Sequence, residues 1–179
     1  MKNGMKWVLL SIRPRHFKKI AVGLKGVEAR KVWPKVEPPF GCLIYCTKDE
    51  ALSYSDYCGF EIADPTQDFV ANGKVVAEFV CNQICAVLAH PAVFAGKPMF
   101  FQYAIDAACL TQEEVEQYGG GKDVAGLVIS DLQVYDKPKE LSEFSYENGK
   151  PVLRPPQNWC YVKEANQGGL PRAVLPPSQ

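Results

Sequence analysis

Three residues carry charges at a spacing that could do chemistry: Lys25, Glu28 and Arg30, in the stretch GLKGVEAR from Gly23 to Arg30. A carboxylate accepts hydrogen bonds from an amino group, such as the exocyclic N–H of a base. A guanidinium donates a planar fork to a carbonyl or a phosphate. On a strand, residues i and i+2 share a face with Cα atoms about 7 Å apart. Glu28 and Arg30 can therefore meet each other or share a ligand, and Lys25 can reach the same spot from a helix-to-strand corner. Together the three suit the edge of a base more than a bare phosphate. A structural ion pair that holds the strand in register is the competing reading, and residue types alone leave both open.

The charge around these residues is lopsided. Residues 1–35 hold ten Lys or Arg against Glu28 alone, a net of +9, while the rest of the chain holds ten cations and nineteen acids, a net of −9. A basic end on a chain of zero net charge suggests a polyanionic partner met by the N-terminal segment. Mutual neutralisation of the two halves across the fold is the alternative.

The elements that must position these groups are legible in outline. WVLLSIR (Trp7 to Arg13) reads as a buried strand, and Pro14 suits the first turn of a helix because its missing N–H would be unpaired there anyway. Phe17, Ile20, Ala21 and Leu24 recur at helical spacing and predict one apolar face. Arg15, Lys18 and Lys19 fall elsewhere and make the exposed side cationic; His16 is expected on the solvated surface, with contact to a phosphate from the helix as the alternative. Gly23 and Gly26 bracket the helix end. VEARKVW then alternates as a strand, with Glu28, Arg30 and Val32 on one face, until Pro34 closes it.

Farther along, FGCLIYCT and NGKVVAEFVCNQICAVL are strands, the second opened by an Asn72-Gly73 turn. Residues 48–72 read as irregular with a helical turn or two, and residues 92–110 give no clear pattern. TQEEVEQYGGG predicts a short helix capped by Thr111. AGLVISDLQVYDKP is a strand, KELSEF a helical turn, Asn148-Gly149 a turn, and RPPQNWCYV a last extended piece. The 179 residues suit one domain over 1–179, with a core over 7–163 and a tail over 164–179. Many strands with few helices predict an α+β domain or small barrel.

Several chemistries are excluded or disfavoured. Apolar residues make up 47% and no run is long enough to span a membrane, so a cytoplasmic protein is expected. GGGK (Gly119 to Lys122) lacks the earlier glycine and the following Ser or Thr of a phosphate loop, since Glu116 and Asp123 stand there. Cys42 and Cys46, like Cys81 and Cys85, are four apart in strand-like runs. That spacing puts about 13 Å between them, too far for one zinc ion. Small core cysteines are the expectation, with no metal and no cofactor. His16 and His90 form no catalytic signature with Ser or Cys.

SIRPRHFKKIAVGLKGVEAR closely resembles the opening of ASCH domains: a strand, a short helix, then a G-x-K-x-x-E-x-R signature filled by Gly23, Lys25, Glu28 and Arg30. GKVVAEFV is similar to that family's next long strand, GLVISDLQVYDKPKELSEF to a later strand and turn, and RPPQNWCYV to the closing segment of many stand-alone phage and bacterial members. The resemblance covers roughly residues 7–163. It implies an α+β, PUA-like mixed β-barrel with a few short helices on its outside, and signature residues on the floor of a cleft beside the basic helix. It also implies binding of RNA or another nucleic acid or nucleotide.

One branch of the family hydrolyses N4-acetylcytidine with the signature lysine, a threonine and a separate glutamate. Glu28 stands at that threonine's position, and a carboxylate is a poor substitute for a hydroxyl nucleophile. Binding is therefore expected over catalysis. Lys25 and Glu28 would be the reacting pair if the chain were a nucleoside hydrolase or an RNA nuclease. In the binding reading, Arg15, Lys18 and Lys19 hold phosphates with Arg13 and Lys31 nearby. Lys25, Glu28 and Arg30 line the pocket, Tyr45 and Thr47 flank it, and Gln157, Asn158 and Trp159 close it, with a Trp159 packed in the core as the competing reading. A protein ligand is the third possibility.

Overall fold

The structure, a computed structural model, describes residues 4–48, 72–91 and 97–163. The expected tail over 164–179, and nearly all of the segment read as irregular, lie outside them. The described elements are β1 (Trp7–Ile12), α1 (Pro14–Ala21), β2 (Val27–Arg30), β3 (Phe40–Cys46), β4 (Lys74–Ala89) and β5 (Met99–Phe100). They continue with α2 (Gln102–Ala107), α3 (Gln112–Gly119), β6 (Val124–Lys139), a 3-10 turn at Leu141–Glu143 and β7 (Trp159–Val162).

Among the described residues, seven strands form one mixed sheet in the order β2-β6-β4-β3-β1-β7, with β5 added to β4. β1 and β3 run parallel with Leu9 opposite Leu43, while the other ladders are antiparallel. Both faces of β1 are covered, which is why WVLLSI is apolar almost throughout. Val8, Leu10 and Ile12 pack on one side with Phe17 and Ile20 of α1, whereas Leu9 packs on the other with Leu43, Tyr45, Phe144 and Val152. Cys42, Cys46 and Cys81 are buried in the first of these clusters, as small core side chains.

β4 and β6 pair along nearly their whole lengths with several register shifts, and such bulges bend and twist a strand pair. The curved pair reaches a third cluster, in which Val27 and Ala29 of β2 meet Val87, Leu88, Ile105 and Val115. Gly126 makes that approach possible: a Cβ there would lie 2.5 Å from Val27 Cγ1 and 2.8 Å from Cys85 Sγ.

The fold is the expected α+β, PUA-like arrangement, with one refinement of its barrel. Among the described residues no ladder joins the edge strands β2 and β7, so the curled sheet keeps a seam between them. β2 is also shorter than VEARKVW predicts. Arg30 pairs with Ala125, one residue from the start of β6, and the Lys31 N–H turns instead to the Tyr118 hydroxyl at 3.4 Å. Val32, expected on the face of Glu28 and Arg30, is half exposed.

Candidate functional site at the sheet seam

α1 sets the position of Lys25. The helix stops at Ala21, Gly23 takes a left-handed φ of +78°, and the N–H groups of Leu24 and Lys25 both donate to the Lys19 carbonyl at 2.9 and 3.0 Å. Leu24 is thereby thrown outward and is 70% exposed, a correction to its expected place on the buried helix face. The next residue, Gly26, donates to Ala107 O at 2.9 Å and accepts from Ile129 N at 2.9 Å. The corner is therefore tied to α2 and β6 as well as to α1.

From this corner β2 alternates as its sequence predicts. Val27 and Ala29 enter the core, and Glu28 and Arg30 point to the other side. Lys25, Glu28 and Arg30 are only 3%, 6% and 6% exposed. Lys25 Nζ donates to Ala108 O at 2.8 Å and lies 3.5 Å from Glu28 Oε2. Arg30 Nη2 lies 3.1 Å from Glu28 Oε1 and donates to Ser11 O at 2.8 Å, while Nη1 donates to Asn158 O at 3.3 Å. Two cations against one carboxylate leave a buried positive charge. The ion pairs are therefore present, and the paired residues also line an open cleft.

That cleft has a volume of about 680 Å³. Of the residues singled out by sequence, Arg13, Arg15, Lys25, Glu28, Arg30, Thr47, Gln157 and Asn158 line it. Ser11 anchors the 156–158 segment by donating from Oγ to Pro156 O at 2.6 Å and accepting at its carbonyl from Arg30, while its N–H reaches Asn158 O at 3.2 Å. Thr47 follows the end of β3 and is held by its N–H on Ile12 O at 3.0 Å.

The other expected residues lie elsewhere. Tyr45 sits one step inside β3, where alternation turns it into the second core cluster beside Leu43. Trp159 belongs to β7, packs half-buried against the first core cluster and meets Tyr161 edge-on at 5.0 Å. Lys18 is exposed on α1, with Lys19 partly so, and both lie outside the lining. Lys31 stacks its ammonium over the Tyr118 ring at 5.2 Å.

Sequence reasoning missed one wall and favoured the surface for one residue of the floor. The wall is α3, whose Glu114, Gln117 and Tyr118 face the cleft. Their i, i+3, i+4 spacing puts them on one stripe of the helix, to one side of the buried Val115, though nothing in sequence said what that stripe would face. Thr111 caps α3 as expected: its hydroxyl accepts from Glu114 N at 3.1 Å, and its own N–H donates to Glu114 Oε2 at 2.8 Å. That floor residue is His16, expected on the solvated surface with contact to a phosphate as the alternative. It is half-buried and lines the cleft, because its position on α1 turns it toward Lys25 and Glu28. Burial, and then the neighbouring Lys25, lower its pKa from 6.5 to about 4, with Arg15 and Lys19 adding to the effect and Glu28 opposing it.

The sequence matches no family model and no curated protein. Solved structures do match. The crystal structure of ASCH from Zymomonas mobilis superposes with a TM-score of 0.57 at 18% identity, covering 89% of each chain. A Tyr-to-Phe variant of that protein gives a TM-score of 0.58 at 18% identity, covering 89% of this chain and 91% of that one. A Ser-to-Ala variant gives 0.57 at 19%, covering 89% of both. The chain has an ASCH-like fold. Within this ASCH-like fold, Lys25, Glu28 and Arg30 meet at the seam that no ladder spans among the described residues.

Proposed function

We propose that the chain binds nucleic acid, RNA or a modified nucleotide, in the cleft at the sheet seam. One observation carries this reading. The cleft combines exposed guanidinium groups at its rim, Arg13 and Arg15, with a floor of Lys25, Glu28 and Arg30 that keeps a net positive charge. Its volume falls within the range of small-ligand sites and can take a nucleotide unit. Lys18 and Lys19 extend the cationic surface along α1, where a phosphate backbone leaving the cleft would run. Gln157 and Asn158 close the opposite side. The ASCH-like fold supports nucleic-acid interaction in general terms.

Binding is favoured over hydrolysis by the state of Lys25. Its Nζ already donates to Ala108 O and pairs with Glu28, so the ammonium is engaged and not presented as a nucleophile.

The test is fluorescence anisotropy of a labelled short RNA titrated with the protein across a salt series. Affinity that falls steeply with salt is expected, as condensed counterions are released on binding. Absent or salt-indifferent binding sinks the reading. Release of acyl groups from acylated nucleosides, abolished by Lys25→Ala, would establish the hydrolytic alternative.

A further inference from the structure

Resting on that reading, the polar atoms of the cleft can be sorted by what they still need. Glu28 is engaged by Arg30 and Lys25, and Lys25 by Ala108 O. Three buried atoms on cleft-lining residues have no hydrogen-bond partner: Arg30 Nε, Thr47 Oγ1 and His16 Nδ1. Buried polar atoms are nearly always paired, so three around one cleft mark a group that is to be supplied. Arg30 Nε can only donate, whereas a hydroxyl and a neutral imidazole can donate or accept. The chemistry that suits all three is an oxygen-rich acceptor. Charge points the same way, because the floor keeps one buried positive charge and the rim adds Arg13 and Arg15.

We infer that the floor of the cleft is an oxyanion subsite, served by Arg30 Nε, Thr47 Oγ1 and His16, which takes the phosphate of a nucleotide and not the edge of its base. This reverses the expectation drawn from residue types. Glu28, which as a lone acid suggested a base edge, is here the positioning residue that holds Lys25 and Arg30 in place.

His16 makes the subsite measurable. It is held neutral in the free protein by burial and by Lys25, Arg15 and Lys19, against the opposing Glu28; Glu114 stands on the facing wall. An anion bound beside the ring favours its protonated form, so anion binding and proton uptake are linked. Affinity then rises as pH falls, by up to about tenfold for each unit of pKa the imidazole gains on binding. A neutral base oxygen would leave affinity flat over this range, and so would a base amino group donating to the ring, since the free imidazole is already neutral there.

The experiment measures binding between about pH 7.5 and 5 for a 5′-phosphorylated short RNA, the same RNA with a 5′-hydroxyl, a methylphosphonate analogue without backbone charge, and inorganic phosphate. Wild type, His16→Asn and Thr47→Val are compared, with folding checked by circular dichroism. The expected result is a gain in RNA affinity at low pH that His16→Asn removes, and weaker binding by Thr47→Val with the pH slope kept. A gain confined to the phosphorylated RNA identifies a terminal phosphate, and an equal gain for both RNAs an internal phosphodiester. RNA that binds with a flat or inverted pH slope, or a methylphosphonate that keeps the slope, overturns the subsite and leaves nucleic-acid binding standing. No RNA binding, alongside a His16 ring pKa raised by inorganic phosphate in a proton NMR titration, upholds the subsite and sinks nucleic-acid binding. That titration needs only the wild type, so it decides the matter even if His16→Asn fails to fold.

Discussion

Arg30 on β2 donates to the main-chain oxygen of Ser11 on β1 at 2.8 Å, across the seam that no ladder spans among the described residues. The same guanidinium reaches Asn158 O and faces Glu28, so one side chain clasps three segments. Removing it leaves Glu28 buried with only Lys25, takes the guanidinium from the Ser11 carbonyl and leaves the Asn158 carbonyl with the Ser11 N–H. Arg30→Ala should cost about 3–5 kcal/mol of stability in urea unfolding, the usual range for orphaning a buried charge. Arg30→Lys should recover only part of this, since an ammonium lacks the fork that serves two carbonyls at once. A near-neutral Arg30→Ala would show that the clasp does not hold the seam.

The basic helix should contribute charge and little else. Arg15→Ala combined with Lys18→Ala is expected to lower the slope of log affinity for RNA against log salt by about 2, one unit per lost phosphate contact. Melting temperature should stay nearly unchanged, because both residues are exposed on α1. An unchanged slope would remove α1 from the binding surface.

Gly126→Ala tests the close packing of β2 on β6. The added methyl would press on Val27 and on Cys85, and overpacking of this kind costs about 1–3 kcal/mol. Because Val27 and Glu28 are neighbours on β2, RNA affinity should drop together with the urea midpoint. A loss of stability without any loss of affinity would show that β2 can shift without disturbing the site.

His16 also predicts a pH dependence of the free protein. Its folded pKa, lowered to about 4, lies below its ordinary 6.5, so the unfolded chain takes up the proton first as pH falls. Wild-type stability should therefore decline between about pH 6.5 and 4 relative to His16→Asn, by on the order of 1 kcal/mol once its partial exposure to screening solvent is allowed for. Parallel stability curves for the two proteins would contradict the buried placement of the ring.

The buried cysteines Cys42 and Cys81 should be inert while the protein is folded. Burial pushes the Cys42 thiol well above its ordinary range and that of Cys81 up to about 11. Iodoacetamide near pH 8 should label both only after denaturant is added, as read by mass spectrometry. Fast labelling of Cys42 in the native protein would place it outside the core.

Local signals were the legible part of this molecule. Pro14 opened α1, Thr111 capped α3, and the i, i+2 rule put Glu28 and Arg30 on one face of β2. Each of these depends on neighbours within a few residues. Leu24 misled because helical spacing says nothing about where a left-handed Gly23 ends the helix. Tyr45 and Thr47 share the same strand parity, yet Tyr45 is in the core and Thr47 lines the cleft, because β3 stops between them. His16 and the α3 wall were illegible for another reason. Their role depends on what stands opposite, and only the curl of β4 and β6 brings α3 across from α1.

Much of the polar hardware at the seam ends on the main chain. Lys25 grips the carbonyl of Ala108, and Arg30 those of Ser11 and Asn158. A peptide oxygen is present whatever side chain stands at its position. The clasp therefore makes demands on positions 25, 28 and 30 and almost none on 108 and 158, where replacement leaves the acceptor intact, while position 11 must also keep a hydroxyl for Pro156 O. A lineage can rewrite most of such a chain and still close the same joint, which is one way an architecture outlives the sequence similarity that would reveal it.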